Sequence, residues 1–407
     1  MQTCVGGEAP TKVFGSLANP ETEFPQALYS KHTVLWGLVA CATLYYVVLS
    51  QNDSPTHHSE GVVAAGLVFL FCSAVHLPDS LYMSRPHPVF WRALEGLAMC
   101  YTAFLVFIAF QTASRARSLF AIFDSSLGVP LPERNYADDC SILTPDHPDS
   151  PIFNIQSCVI DVYMLAHLLG WWIKMLIVRD VKLCWVLSLF FEFMEISLRH
   201  QLPNFWECWW DSLLLDVLIC NGGGIYLGYL TCRYFELRQY HWGVGQDIRP
   251  STGRFSVLSR SAVQLIPFSW QTYRWDLLSS PRNYLGVIVY AAFFNLVDLS
   301  NFYLKTALWI PSDHWLLLAR VSYWACVAAI LTREYYEYLY AGAKIGPFCW
   351  LGVFALAIEW LIVVKNIEEL TTDAMPIWLK TSWTLLGLGL TGQFLYLVYR
   401  PALSTKH

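Results

Sequence analysis

Five carboxylates and two asparagines fall inside one otherwise apolar stretch, EFMEISLRHQLPNFWECWWDSLLLDVLICNGGGIYLG, which begins at Glu192. Glu192 and Glu195 are three residues apart, so a helix places both on one face; Glu207 and Asp211, four apart, repeat the pattern. Asn204 precedes the second pair, and Asp216 and Asn221 follow it. Acids this close do not all stay ionised unless a cation offsets their repulsion or some of them hold protons. Oxygen donors of this kind select a hard ion, Ca2+ or Mg2+. The twelve cysteines are scattered without a CxxC pair, so neither zinc nor redox chemistry is indicated. His167, upstream, is a candidate general base for a hydroxyl nucleophile. Each feature alone has a plain reading: a histidine packed for its hydrogen bonds, or glutamates reaching an interface. Together the acids and asparagines are harder to explain that way, because an ionisable group at the bilayer centre costs about 2.5–3.5 kcal/mol on insertion scales. Gly222, Gly223 and Gly224, with Gly228 one turn on, let a neighbouring backbone or a lipid headgroup come close.

The elements that must position these residues are membrane helices. The 407-residue chain is 55% apolar and 14% charged, where soluble proteins carry about 25% charged residues. Ten segments are long and apolar enough to be spans: 33–50, 61–76, 90–112, 159–178, 183–198, 209–232, 284–308, 315–332, 348–364 and 376–399. The expected fold is all-α, a polytopic membrane protein of about ten transmembrane helices. With an even number of spans both termini share one side. That side also collects most of the Lys and Arg residues, which makes it cytosolic. The layout is then a cytosolic N-terminal segment 1–31, a single transmembrane catalytic domain 32–400 and a short tail 401–407. Within the domain, loop 113–158 is luminal and loop 233–283 cytosolic.

The four-residue turn 179–182 folds span five back beside span four. At 1.5 Å per residue, His167, Glu192 and Glu195 lie roughly 18, 15 and 20 Å from that turn, at one depth in the luminal half. Asp298 and Glu359 also fall in luminal halves of their spans. Cys140 and Cys158 share the luminal loop and are predicted to pair, with two free thiols as the alternative. On the cytosolic side, Arg85, His87, Arg260, Gln264 and Arg333 either clasp a phosphate or simply anchor the bundle by positive charge.

Several classes are excluded. No basic patch accompanies the aromatic residues, so a nucleic-acid partner is not expected. A phosphate-cradling GxxxxGK loop is absent. A cation-coupled transporter remains the alternative class, although no internal repeat supports it.

The segments HLLGWWIK, FEFMEISLRHQLPNFWECWWDSLLLDVLICNGGGIYLG, RPHP at 85–88 and NFYLKTALW resemble the eukaryotic base-exchange phosphatidylserine synthases. The likeness runs from about residue 30 to about residue 370. LGVPLPERNYADDC and RHQLPNF look nearer the type-2 enzymes, whereas CNGGG reads as it does in type 1. The resemblance implies a calcium-dependent exchange of L-serine for the headgroup of phosphatidylethanolamine or phosphatidylcholine. It makes His167 the base and Glu192, Glu195, Asn204, Glu207, Asp211, Asp216 and Asn221 the essential polar set. Ca2+ is expected among Glu192, Glu195, Glu207 and Asp211. Arg85, His87, Arg260, Gln264 and Arg333 match positions tied to inhibition by the phosphatidylserine product. Residence in the endoplasmic reticulum membrane, contact with membrane lipids and an active site toward the lumen go with this reading, and a homodimer is the assembly to test. The rival phosphatidylserine-forming class, the CDP-alcohol phosphotransferases, needs an Asp-Gly pattern, and no Asp-Gly dipeptide occurs in the chain.

Overall fold

A computed structural model of the protein describes residues 35, 39, 57–78, 88–131, 140–143, 162–202, 205–237, 273–366 and 374–404. Two compact units divide the chain, Met1–Asp79 and Ser80–His407. The first contains helix α1 (His57–His76). The second is a helical bundle, and no strand occurs among the described residues. Its helices are α2 (Pro88–Ala109), α3 (Ala113–Phe123), α4 (Val162–Val178), α5 (Val181–Leu198) and the π-wound α6 (Asp211–Asn221). They continue with α7 (Gly222–Leu237), α8 (Pro281–Leu308), α9 (Trp315–Ala341), α10 (Pro347–Lys365) and α11 (Ile377–Ser404).

Among the described residues, five stretches are long and apolar enough to cross a membrane: Pro88–Ala109, Asp211–Tyr234, Pro281–Leu308, Trp315–Ala341 and Pro347–Lys365. Helix α5 falls outside that set because Lys182, Glu192 and Glu195 interrupt its 18 residues. Large apolar side chains such as Phe107, Leu189, Leu218 and Phe354 stay exposed on the outer faces, as suits helices surrounded by lipid. The segment 113–158, expected as a loop, opens instead with α3. Thr112 caps that helix by accepting from the Arg115 N–H, and Arg117 donates two hydrogen bonds, at 3.0 and 2.8 Å, to the Ala307 carbonyl at the end of α8.

Two large buried apolar clusters among the described residues hold the bundle. One joins α2, α8, α9 and α10 around Ala98, Leu299, Val327 and Ala355. The other joins α4, α5, α7 and α8 around Val178, Cys184, Ile225 and Tyr290. The α4–α5 connection turns on Arg179 in the left-handed region (φ 55°), and Asp180 then caps α5 by accepting from the Leu183 N–H.

The close approach expected of the glycines is made by the backbone of α4. A Cβ on Gly224 would run into the Leu168 carbonyl and stand 2.8 Å from the Trp171 Cβ; one on Gly228 would stand 2.5 Å from the Met175 Cβ. Small residues four apart therefore seat α7 directly on the helix that carries His167. A Gly224→Leu protein should lose about 1–3 kcal/mol of stability, the usual range for overpacking. Gly387→Ala in α11, where a Cβ meets nothing within 4 Å, should melt as wild type does; thermal unfolding in detergent of both purified variants checks the contrast.

Candidate functional site

Glu192 is the hub of the acid cluster. Buried in α5 at 6% exposure, it accepts from the Ser212 hydroxyl through Oε2 (3.0 Å) and from the Asn221 amide through Oε1 (3.1 Å). The same Asn221 Nδ2 donates to the Ser188 hydroxyl at 2.9 Å. Ser212 and Asn221 stand at opposite ends of α6. Nine residues at 3.6 per turn make two and a half turns, which would set the two on opposite faces of an α-helix. The π-winding bonds each residue to one five away and widens the turn, so nine residues make about two turns and both face Glu192.

Glu195, one turn along α5, is buried and lies within electrostatic reach of Glu207, Glu192 and Asp216. Glu207 stands just before α6. Burial first, then the Asp216, Asp211 and Glu192 carboxylates, push its carboxyl up to about 9. The expected crowding of acids is thus present in the folded chain. His167 on α4 places Nδ1 3.4 Å from Asp216 Oδ1, an ion-pair distance. An Nδ1–H aimed at that carboxylate leaves the other ring nitrogen as the proton acceptor.

His167 and Glu192 also line a half-open cavity of about 290 Å3 bounded by α4, α5, α8 and α9. Its polar lining contains residues that the sequence alone did not single out: Lys174, Asn301 and Arg320. Lys174 donates to Asp298 at 2.7 Å. Arg320 grips Glu359 with Nε at 3.1 Å and Nη2 at 2.6 Å, and also donates to Asn301 and Ser300. Glu359 is fully buried and accepts further from Tyr101, Trp324 and Ser300. The acids noted at 298 and 359 therefore have fixed basic partners. The available signal was the presence of Lys174 and Arg320 inside apolar spans, where a basic residue needs a partner or a function.

The donor types suit a hard cation. Beside the carboxylates, the Oδ1 of Asn221 is buried without a hydrogen-bond partner. As the side chains stand, no three His, Cys, Asp or Glu among the described residues converge as a ready ion site. Asn204, Arg85, His87, Arg260 and Gln264 lie outside the described residues. Arg333 is described: it pairs with Glu337 at 3.0 Å, and its Nε is buried without a hydrogen-bond partner.

One expectation is overturned. Cys140 pairs with Cys208, not with Cys158, across a sequence separation of 68. Nearness within one loop favoured Cys158; the fold instead returns the chain so that Cys208, next to Glu207, meets the loop, and the Trp210 indole donates to the Cys140 carbonyl at 3.2 Å. In the chain-entropy picture a loop of this length contributes about 4 kcal/mol. A non-reduced proteolytic digest should yield the peptides of Cys140 and Cys208 joined, and Cys140→Ser and Cys208→Ser should each lower the melting temperature by similar amounts. Joined peptides of Cys140 and Cys158 would contradict the pairing.

Comparison with known proteins bears on this site. The model of the family described as phosphatidyl serine synthase matches residues 86–367. The chain is 39% identical over 360 residues to human "Phosphatidylserine synthase 2", covering 87% of this chain and 73% of that one. The zebrafish protein of the same name is 38% identical, covering 88% and 79%. "CDP-diacylglycerol--serine O-phosphatidyltransferase 1" of Arabidopsis thaliana is 39% identical, covering 84% and 80%.

Proposed function

The chain belongs to the phosphatidylserine synthase family and is a phosphatidylserine-forming transferase, and we propose that it works by base exchange, L-serine displacing the ethanolamine or choline of an existing phospholipid. The observation that carries this reading is the position of His167, which stands 3.4 Å from Asp216 and lines the cavity.

In this mechanism the serine hydroxyl oxygen attacks phosphorus while its proton passes to His167. The bond from phosphorus to the amino alcohol breaks, and the departing oxygen takes the proton back from the imidazole. One phosphodiester replaces another, so no nucleotide is consumed. Asp216 fixes the tautomer and steadies the imidazolium between the two transfers, as a carboxylate partner does in other His-dependent transfers. Glu192, Glu195, Glu207 and Asp211 would hold Ca2+, whose positive charge would offset the negative charge that develops on the phosphoryl oxygens. Asn204 and Asn221 complete the polar set. The bilayer arrangement that accompanies this reading is ten spans with both termini cytosolic, in the endoplasmic reticulum membrane, with the site toward the lumen. The protein would act as a homodimer among its lipid substrates.

A second donor deserves its own arm in the experiment, because the Arabidopsis relative's name specifies CDP-diacylglycerol. Purified protein in defined micelles, given radiolabelled serine, should form labelled phosphatidylserine with phosphatidylethanolamine or phosphatidylcholine alone. Product formed only when CDP-diacylglycerol is supplied would replace base exchange with the other chemistry. His167→Ala should lower exchange by about 10^2–10^4-fold. Chelation of Ca2+, or Asp211→Asn, should abolish it; full activity in chelator would remove the ion from the mechanism.

The regulatory site belongs to the same proposal. Phosphatidylserine bound by Arg85, His87, Arg260, Gln264 and Arg333 would restrain the enzyme from a second headgroup site. Arg85→Lys should then resist inhibition by added phosphatidylserine while keeping near-normal uninhibited exchange. Equal inhibition of both proteins would refute the assignment.

A further inference from the structure

We infer that the cavity between α4, α5, α8 and α9 is the donor-phospholipid subsite, with Lys174 as the cation that binds the donor's phosphate. The inference deepens the base-exchange reading and rests on it for the identity of the donor.

The cavity's lining is mostly apolar, with walls that include Trp171, Phe294, Phe302 and Trp324, and its polar groups are Glu192, His167, Lys174, Asp298, Asn301 and Arg320. A volume near 290 Å3 is far more than serine needs. A mostly apolar chamber with a few placed polar groups suits a ligand that is itself part apolar and part charged. A glycerophosphate with the first carbons of its acyl chains has that character; a free amino acid does not.

Lys174 is the cation suited to the phosphate. It sits seven residues after His167 on α4, two turns on the same face, roughly 10 Å along the axis. Helical side chains lean toward their own N-terminus, so the long Lys174 stem reaches back toward His167. Its ammonium gives one hydrogen bond to Asp298 and stands 4.1 Å over the Trp171 ring. An ammonium carries three donors, which leaves capacity for a phosphoryl oxygen. Arg320 is committed differently. Its Nε, Nη1 and Nη2 already donate to Glu359, Asn301, Ser300 and the Val297 carbonyl, so it serves as a fixed wall of the chamber. Asp298 then has two roles: it neutralises Lys174 when no lipid is bound, and it offers a carboxylate to the ammonium of the departing amino alcohol.

Lys174→Met keeps the stem and removes the charge; Lys174→Arg keeps the charge. In the exchange assay Lys174→Met should raise the KM for donor lipid roughly 10- to 100-fold, the loss expected for one charge-assisted hydrogen bond. Its KM for serine should change less than twofold, and Lys174→Arg should recover most of the donor affinity. A rise confined to the serine KM would place the serine carboxylate at Lys174 and overturn the assignment. Unchanged kinetics in Lys174→Met would reduce the residue to a structural ion pair, with the same result. Should Lys174→Met fail to fold around an unpaired Asp298, the neutral pair Lys174→Met/Asp298→Asn restores the charge balance and carries the test when read against Asp298→Asn alone. Binding of monomeric dihexanoyl phosphatidylethanolamine to His167→Ala protein, followed calorimetrically, separates this proposal from the reaction. Loss of binding in His167→Ala/Lys174→Met supports the subsite whichever donor the reaction proves to use; equal binding in both proteins sinks it even where exchange is confirmed.

Discussion

The two hydrogen bonds that Glu192 accepts from Ser212 and Asn221 tie α5 to both ends of the π-wound segment. A buried carboxylate needs such partners, because an unmet charged group costs far more than a hydrogen bond returns. To supply both from one segment, the chain departs from α-winding, and the departure sets where Asp211, Asp216 and Asn221 stand. Asp216 then meets His167, and His167 meets the cavity. The seating of α7 on α4 through Gly224 and Gly228 keeps these helices at the spacing those contacts need.

Charge is handled in two ways inside the same bundle. Near α8, α9 and α10 the acids are matched by bases: Asp298 by Lys174, and Glu359 by Arg320 with three further donors. Around α5 and α6 the acids outnumber the cations, and Glu207 is pushed up to about 9 by burial and its neighbours. Arg320–Glu359 is what a structural buried pair looks like, weakly stabilising as a whole and strongly destabilising if one partner is removed, whereas Lys174 and Asp298 are part-exposed to the cavity. The second arrangement is an unbalanced site, of the kind whose electrostatics are set for a ligand or a proton. His167 stands at the boundary between them.

Much of this was legible in the residues. The spacing of Glu192 and Glu195 gave their shared face, and the short turn at 179–182 put α4 and α5 side by side. The facing of Asn221 toward Glu192 was not legible, because a 3.6-residue period places it on the wrong side and nothing local announces π-winding. The cavity's basic residues were hidden for a different reason: Lys174 and Arg320 find their partners on helices more than thirty residues away, and single-sequence patterns carry no such pairing. Cys140 misled because proximity along the chain was taken for proximity in space. Asn204 and the arginines at 85 and 260 stay as the sequence left them, outside the described residues.

The Cys140–Cys208 bond has a topological consequence. It closes a covalent ring through the chain, and that ring contains α4 and α5 entire, with His167, Lys174, Glu192, Glu195 and Glu207. A peptide bond cut anywhere between the two cysteines leaves one molecule, still joined through sulfur. The turn that carries Glu207 is thus fastened to the loop of Cys140 by a bond that only oxidation of two thiols makes.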